Sequence, residues 1–119
     1  MNDRELLKAA AKAAGLEIKL MACLPGHLQG SYSEGFVCID RPHEEWNPLT
    51  CDGDALRLAV KLKIDMNFSR EIHPMHAHHT VTAWVGVEHR FDEFLREDEQ
   101  AATRRAIVRA AATIFQEQP

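Results

Sequence analysis

Two stretches of the chain alternate apolar and polar side chains with a period of two. Ile64, Met66 and Phe68 alternate with Asp65, Asn67 and Ser69, and Val81, Ala83, Val85 and Val87 alternate with Thr80, Thr82, Trp84 and Gly86. That period is the signature of strands buried on one face. No helical pattern separates the two runs, so they predict an antiparallel hairpin whose connection falls at His73-Pro74-Met75-His76-Ala77-His78-His79. Leu16, Ile18 and Leu20, set against Glu17 and Lys19, predict an earlier strand, and Phe36 to Ile39 a short second one. Leu24 to Gly30 reads as a loop. Glu44 to Pro48 reads as an irregular approach to a helix, because a residue before proline is pushed out of helical geometry.

Three stretches follow helical spacing. The first carries Leu6, Leu7, Ala10, Ala13 and Ala14 between a cap at Asn2 or Asp3 and Gly15, which stands where a left-handed C-terminal cap belongs. The second starts at Thr50 or Asp52 and runs to about Lys63, with Asp52 and Asp54 in a first turn where the helix dipole favours negative charge. Its apolar residues Ala55, Leu56, Leu58, Ala59, Val60 and Leu62 wrap most of the circumference and leave Arg57 and Lys61 as the wet stripe. This helix is expected to be covered on more than one side. The third opens at Asp98 to Gln100 and runs to about Gln116, with Ala102, Ala106, Ile107, Ala110, Ala111 and Ile114 on one broad face. Between hairpin and last helix, residues 89 to 96 read as a connection that packs Phe91, Phe94 and Leu95 on the core. The pattern as a whole predicts one α/β (α+β) domain over residues 1–119, with three helices flanking a small, mainly antiparallel sheet.

Composition narrows the function classes. With 119 residues, 45% of them hydrophobic and 27% charged, the chain can bury an ordinary core without disulfide or metal staples. No apolar run approaches the ~20 residues of a membrane span, and the charged N-terminal stretch lacks the pattern of a secretory signal. A cytoplasmic protein with no membrane partner is expected. Cys23, Cys38 and Cys51 are widely spaced and odd in number, which favours free thiols over a disulfide framework or zinc ribbon. The formal charge of −4 gives no general attraction to nucleic acid.

Residues 73 to 79 hold four of the seven histidines. His73, His76, His78 and His79 are the candidates for a metal-binding protein or a metal-dependent hydrolase, since zinc takes neutral imidazole in a tetrahedral set. Two features oppose that reading: no acidic general base stands among them, and a loop places ligands less well than a helix. No metal or other cofactor is therefore expected, and the cluster's expected property is titration near ~pH 6.5. Cys51 at a helix start is a candidate nucleophile, but Asp52 and Asp54 follow it and oppose a thiolate. Arg104, Arg105 and Arg109 lie on the last helix, and Arg105 and Arg109 share a face. They allow a nucleotide or nucleic-acid binder, with a solvated face paired to Glu97, Asp98 or Glu99 as the plainer alternative. No phosphate loop, dinucleotide fingerprint or nucleophile elbow occurs, so an enzyme is not the expected answer.

Two segments carry a family resemblance: Trp46-Asn47-Pro48-Leu49-Thr50-Cys51-Asp52-Gly53-Asp54-Ala55-Leu56-Arg57-Leu58-Ala59-Val60-Lys61-Leu62, and Ala102-Thr103-Arg104-Arg105-Ala106-Ile107-Val108-Arg109-Ala110-Ala111-Ala112. They resemble the phage ABA sandwich domain, a group of small phage and prophage proteins, from about residue 45 onward. The resemblance implies a layered helix-sheet-helix fold, a three-layer α-β-α sandwich, and a phage accessory protein in the bacterial host cytoplasm. It implies no catalytic activity. On this reading the chain is a non-enzymatic protein-binding module acting on a host or phage protein, in host takeover or anti-defence, with homo-oligomerisation left open. Trp46, Asn47, Asp52, Asp54, Arg57, Arg104, Arg105 and Arg109 are then the expected binding residues, or else packing contacts that hold the entrance to the second helix.

Overall fold

The computed structural model describes residues 2–25, 32–72, 77–86, 89–95 and 98–117. Along the chain run α1 (Asp3–Ala13), β1 (Ile18–Pro25), β2 (Tyr32–Cys38), β3 (Arg41–Glu45), α2 (Asp52–Leu62), β4 (Asp65–Ile72), β5 (Ala77–Val85), β6 (His89–Phe94) and α3 (Glu99–Glu117). The expected α+β class and three helices are present. In place of one sheet there are two, each of three antiparallel strands in the orders β1-β2-β3 and β4-β5-β6. A helix followed by a three-stranded meander thus occurs twice, and α3 closes the series.

The two repeats share the way their helices close at the C-terminus as well as their order. In α1 the Asn2 side chain accepts from the Glu5 N–H at 2.8 Å, and the Glu5 carboxylate accepts from the Asn2 N–H at 3.2 Å, a reciprocal capping box. At its other end Gly15 (φ +72°) turns the chain, with Leu16 N–H donating to Ala11 C=O at 2.9 Å and Gly15 N–H to Lys12 C=O at 3.1 Å. Helix α2 closes in the same way around Lys63, at φ +55°, with Ile64 N–H donating to Ala59 C=O at 3.0 Å. Here a lysine occupies the conformation that glycine fills in the first repeat.

Helix α3 is the centre of the packing. It lies against α1 and α2 and against β5 and β6. Ala106, Val108, Ala110 and Ala111 are fully buried on it, and their small side chains let neighbouring backbones approach closely. The first sheet joins the same core through Phe36, Cys38 and Trp46, so one hydrophobic cluster spans both repeats.

Several expectations need correction. Residues 41–45 form an edge strand, where a proline and few apolar side chains are tolerated because one side of the strand needs no ladder partner. Leu24 and Pro25 belong to β1, and residues 26–30 of the expected loop lie outside the described residues. Residues 77–79 continue β5, with Glu71 opposite His78 and Arg70 opposite His79 in register. The hairpin connection shortens to 73–76, which lies outside the described residues, as does Val87. The stretch after the hairpin is a true strand, β6, with alternating burial. Of the two starts offered for α2, Asp52 is its first residue; Cys51 is the N-cap and its side chain makes no capping bond. Finally, α2 is covered on one side. Ala55, Leu58 and Ala59 are buried, whereas Leu56 and Val60, one turn apart, stand 63% and 58% exposed.

Candidate functional site

The segment Trp46 to Asp54 is built as a clamp. Trp46 is buried and its N–H donates to Phe36 C=O at 2.7 Å, so it anchors the segment in the core and offers little surface. Asn47 follows as a turn former: its side-chain oxygen accepts from Leu49 N–H at 3.0 Å and its carbonyl from Cys51 N–H at 2.9 Å. Asp54, buried in the first turn of α2, accepts from Asn47 N–H at 2.9 Å and from the Arg57 guanidinium at 2.6 Å. That bond keeps the Arg57 guanidinium more firmly protonated than usual.

The three arginines of α3 point to three different partners. Arg104, with 14% of its side chain exposed, donates to Leu49 C=O at 2.7 Å and to the Asp52 carboxylate at 2.6 Å, tying the start of α2 to α3. Arg105 pairs with Asp3 of α1 at 3.2 Å. Arg109 pairs with Glu93 of β6 at 2.7 Å and lies 5.5 Å from the Phe91 ring centre. Of the acids expected from sequence, Asp98 and Glu99 are not these partners, and Glu97 lies outside the described residues. Arginines on a helix turned toward its neighbours meet carboxylates of adjoining elements before those of their own turn. Their charge is spent on three inter-element contacts and does not converge on one phosphate-sized spot.

Of the histidines, His73 and His76 lie outside the described residues, and His78 and His79 are placed only as positions along β5. Among the described residues no group of three or more His, Cys, Asp or Glu side chains is arranged to hold a metal ion. The Cys38 thiol is buried, and burial first, then the neighbouring Asp40, push its pKa up, which opposes a thiolate. Cys51 is exposed at the head of α2.

What the sequence reading missed is a surface. Leu56 and Val60 of α2, one turn apart, form an exposed apolar stripe, and Phe68 of β4, also 63% exposed, lines the same groove as Leu56. Phe68 shares a row with Val81 and Glu93, on the sheet face where Val81 is fully buried. Helix α3 packs over β5 and β6. A groove of about 330 Å³ is left between α3, α2 and β4, floored by Ala55, Leu56, Phe68 and Ile107, with Asp52, Glu99 and Arg104 at its mouth. The sequence signal is the excess of apolar positions on α2, which by itself predicts burial. Asp52 and Arg104 are the two expected binding residues that reach this groove, and their mutual bond forms part of its wall.

No helix among the described residues is long and apolar enough to cross a membrane. Compared with protein-family models, curated proteins and solved structures, the chain matches none of them.

Proposed function

We propose that this chain is a non-enzymatic protein-binding module, an accessory protein of the phage ABA sandwich type acting in a bacterial host's cytoplasm on a host or phage protein. The observation that carries the reading is the exposed apolar face made by Leu56, Val60 and Phe68. Water-exposed large apolar groups gathered on one face, rimmed by charge, are the usual mark of a contact surface. Around it, Trp46, Asn47, Asp54, Arg57, Arg105 and Arg109 act as the frame, and Asp52 with Arg104 as its nearest polar rim.

The test is affinity capture from bacterial lysate with quantitative mass spectrometry. Wild type is compared with Leu56→Glu/Phe68→Glu and with Arg105→Ala, each shown to be folded by circular dichroism. A defined partner retained by wild type and by Arg105→Ala, and lost by the double variant, supports the reading. Equal recovery by wild type and the double variant overturns it.

A further inference from the structure

A second concave surface lies on the other repeat, between α1 and β1. Its volume is about 580 Å³, within the size range of ligand clefts. The floor is apolar: Leu16, Ile18 and Phe36 line it, and Leu20 and Ile39 stand 44% and 53% exposed. Its edge is cationic. Arg4, Lys8 and Lys12 follow one another at four-residue intervals along α1, which sets them in one row on the helix surface, and Lys19 adds a fourth charge from β1. The one carboxylate lining the groove is Glu17. Arg4 pairs with Glu34 beside the groove, whereas Lys8 and Lys19 make no ion pair among the described residues. On a chain of formal charge −4, four cations beside Glu17 and the Arg4-bound Glu34 are a local reversal of sign.

We infer that this groove docks an acidic amphipathic helix from a partner protein, with apolar side chains on Leu20, Ile39 and the floor and carboxylates along the Arg4-Lys8-Lys12 row. Helix-in-groove recognition needs both parts, an apolar trough for residues spaced by three and four and a charged edge that sets orientation. A nucleic-acid backbone supplies the charge and leaves Leu20 and Ile39 uncovered. A bilayer surface supplies both but meets a concave face poorly. The inference stands apart from the proposed face around Leu56 and Phe68, which lies on the other repeat.

The experiment is fluorescence anisotropy with the full chain and a labelled synthetic peptide of about five helical turns. Its leucines are spaced by three and four, and its polar positions are glutamate. The same composition scrambled, a lysine-for-glutamate version, a single-stranded oligonucleotide and phosphatidylserine-containing vesicles serve as the other probes. The amphipathic acidic peptide is expected to bind most tightly and to weaken as salt rises. Lys8→Glu/Lys19→Glu is expected to weaken it at least about tenfold, Leu20→Ser to weaken it at every salt concentration, and Leu56→Glu/Phe68→Glu to leave it unchanged. Thermal unfolding confirms that each variant is folded. Equal binding of the scrambled peptide, wild-type affinity in Lys8→Glu/Lys19→Glu, or preference for the oligonucleotide or the vesicles overturns the inference.

Discussion

Arg104 and Asp52, separated by 52 positions in sequence, are joined by a bond of 2.6 Å, and the same guanidinium holds the carbonyl of Leu49 at 2.7 Å. The two partners are unequal: Arg104 is largely enclosed, and the Asp52 side chain is 71% exposed. Removing the arginine strands a carbonyl and loosens the join between α2 and α3, while removing the carboxylate leaves a cation that water can still reach. Arg104→Ala is expected to cost about 2–3 kcal/mol and Asp52→Asn less than about 1 kcal/mol in urea unfolding. Equal costs would contradict the clamp.

Asp54 gives a second asymmetry. Its carboxylate is the acceptor for the Asn47 N–H and sits buried, while its partner Arg57 is 61% exposed. Asp54→Ala is expected to cost about 2–3 kcal/mol, Asp54→Asn about 1, because an amide oxygen still serves Asn47, and Arg57→Ala less than about 1. An Arg57→Ala penalty as large as that of Asp54→Ala, measured by the same unfolding, speaks against a backbone-holding role for Asp54.

The two helix ends separate backbone strain from side-chain contact. A residue other than glycine in the left-handed region costs roughly 1 kcal/mol. Lys63, at φ +55°, is expected to give about 0.5–1 kcal/mol of added stability on change to glycine. Gly15→Ala is expected to lose about 1 kcal/mol, although a methyl group there meets nothing within 4 Å. Thermal melts of both variants check the pair, and an unstabilised Lys63→Gly would show that its side chain makes a compensating contact.

Asp92 makes stability depend on acid. The Thr82 hydroxyl, then the Arg90 guanidinium, hold its carboxyl below the ordinary 3.8. The unfolded chain therefore takes up this proton at higher pH than the folded one. The contribution is complete above the unfolded value and drains away as pH falls through the folded one. With 41% of the side chain exposed it amounts to less than about 1 kcal/mol. Asp92→Asn is expected to trail wild type at pH 7 and to converge with it as pH falls through the folded-state value. A gap that stays constant down the titration contradicts the assignment.

These cases show which physical signals reach the linear chain. The β4–β5 hairpin was legible because one face of it is apolar at every second residue and the other is not. Strand β6 was hidden because its inward row includes Glu93, neutralised by Arg109, and its outward row includes Phe94, 55% exposed. Strand β3 was hidden by its edge position. The helix-end signals of α1 were complete in Asn2, Glu5 and Gly15, while Lys63 gave no hint of the matching turn. The arginines were recognised, but their partners lie 52, 102 and 16 positions away, distances at which nothing in the chain announces a contact. Leu56 and Val60 differ from expectation because apolar character states a preference for burial without saying what does the burying, and no element among the described residues covers them.

The central claim, that the Leu56–Val60–Phe68 face is a protein contact surface, is tested most directly by site-specific photocrosslinking in living bacteria. Benzoylphenylalanine is placed singly at positions 56, 60 and 68 and, as a control, at Arg90, whose side chain is 60% exposed on the outer side of β6. The account predicts one common adduct of discrete mass from positions 56, 60 and 68 and none from position 90. No adduct from those three positions, or the same adduct from all four, contradicts it.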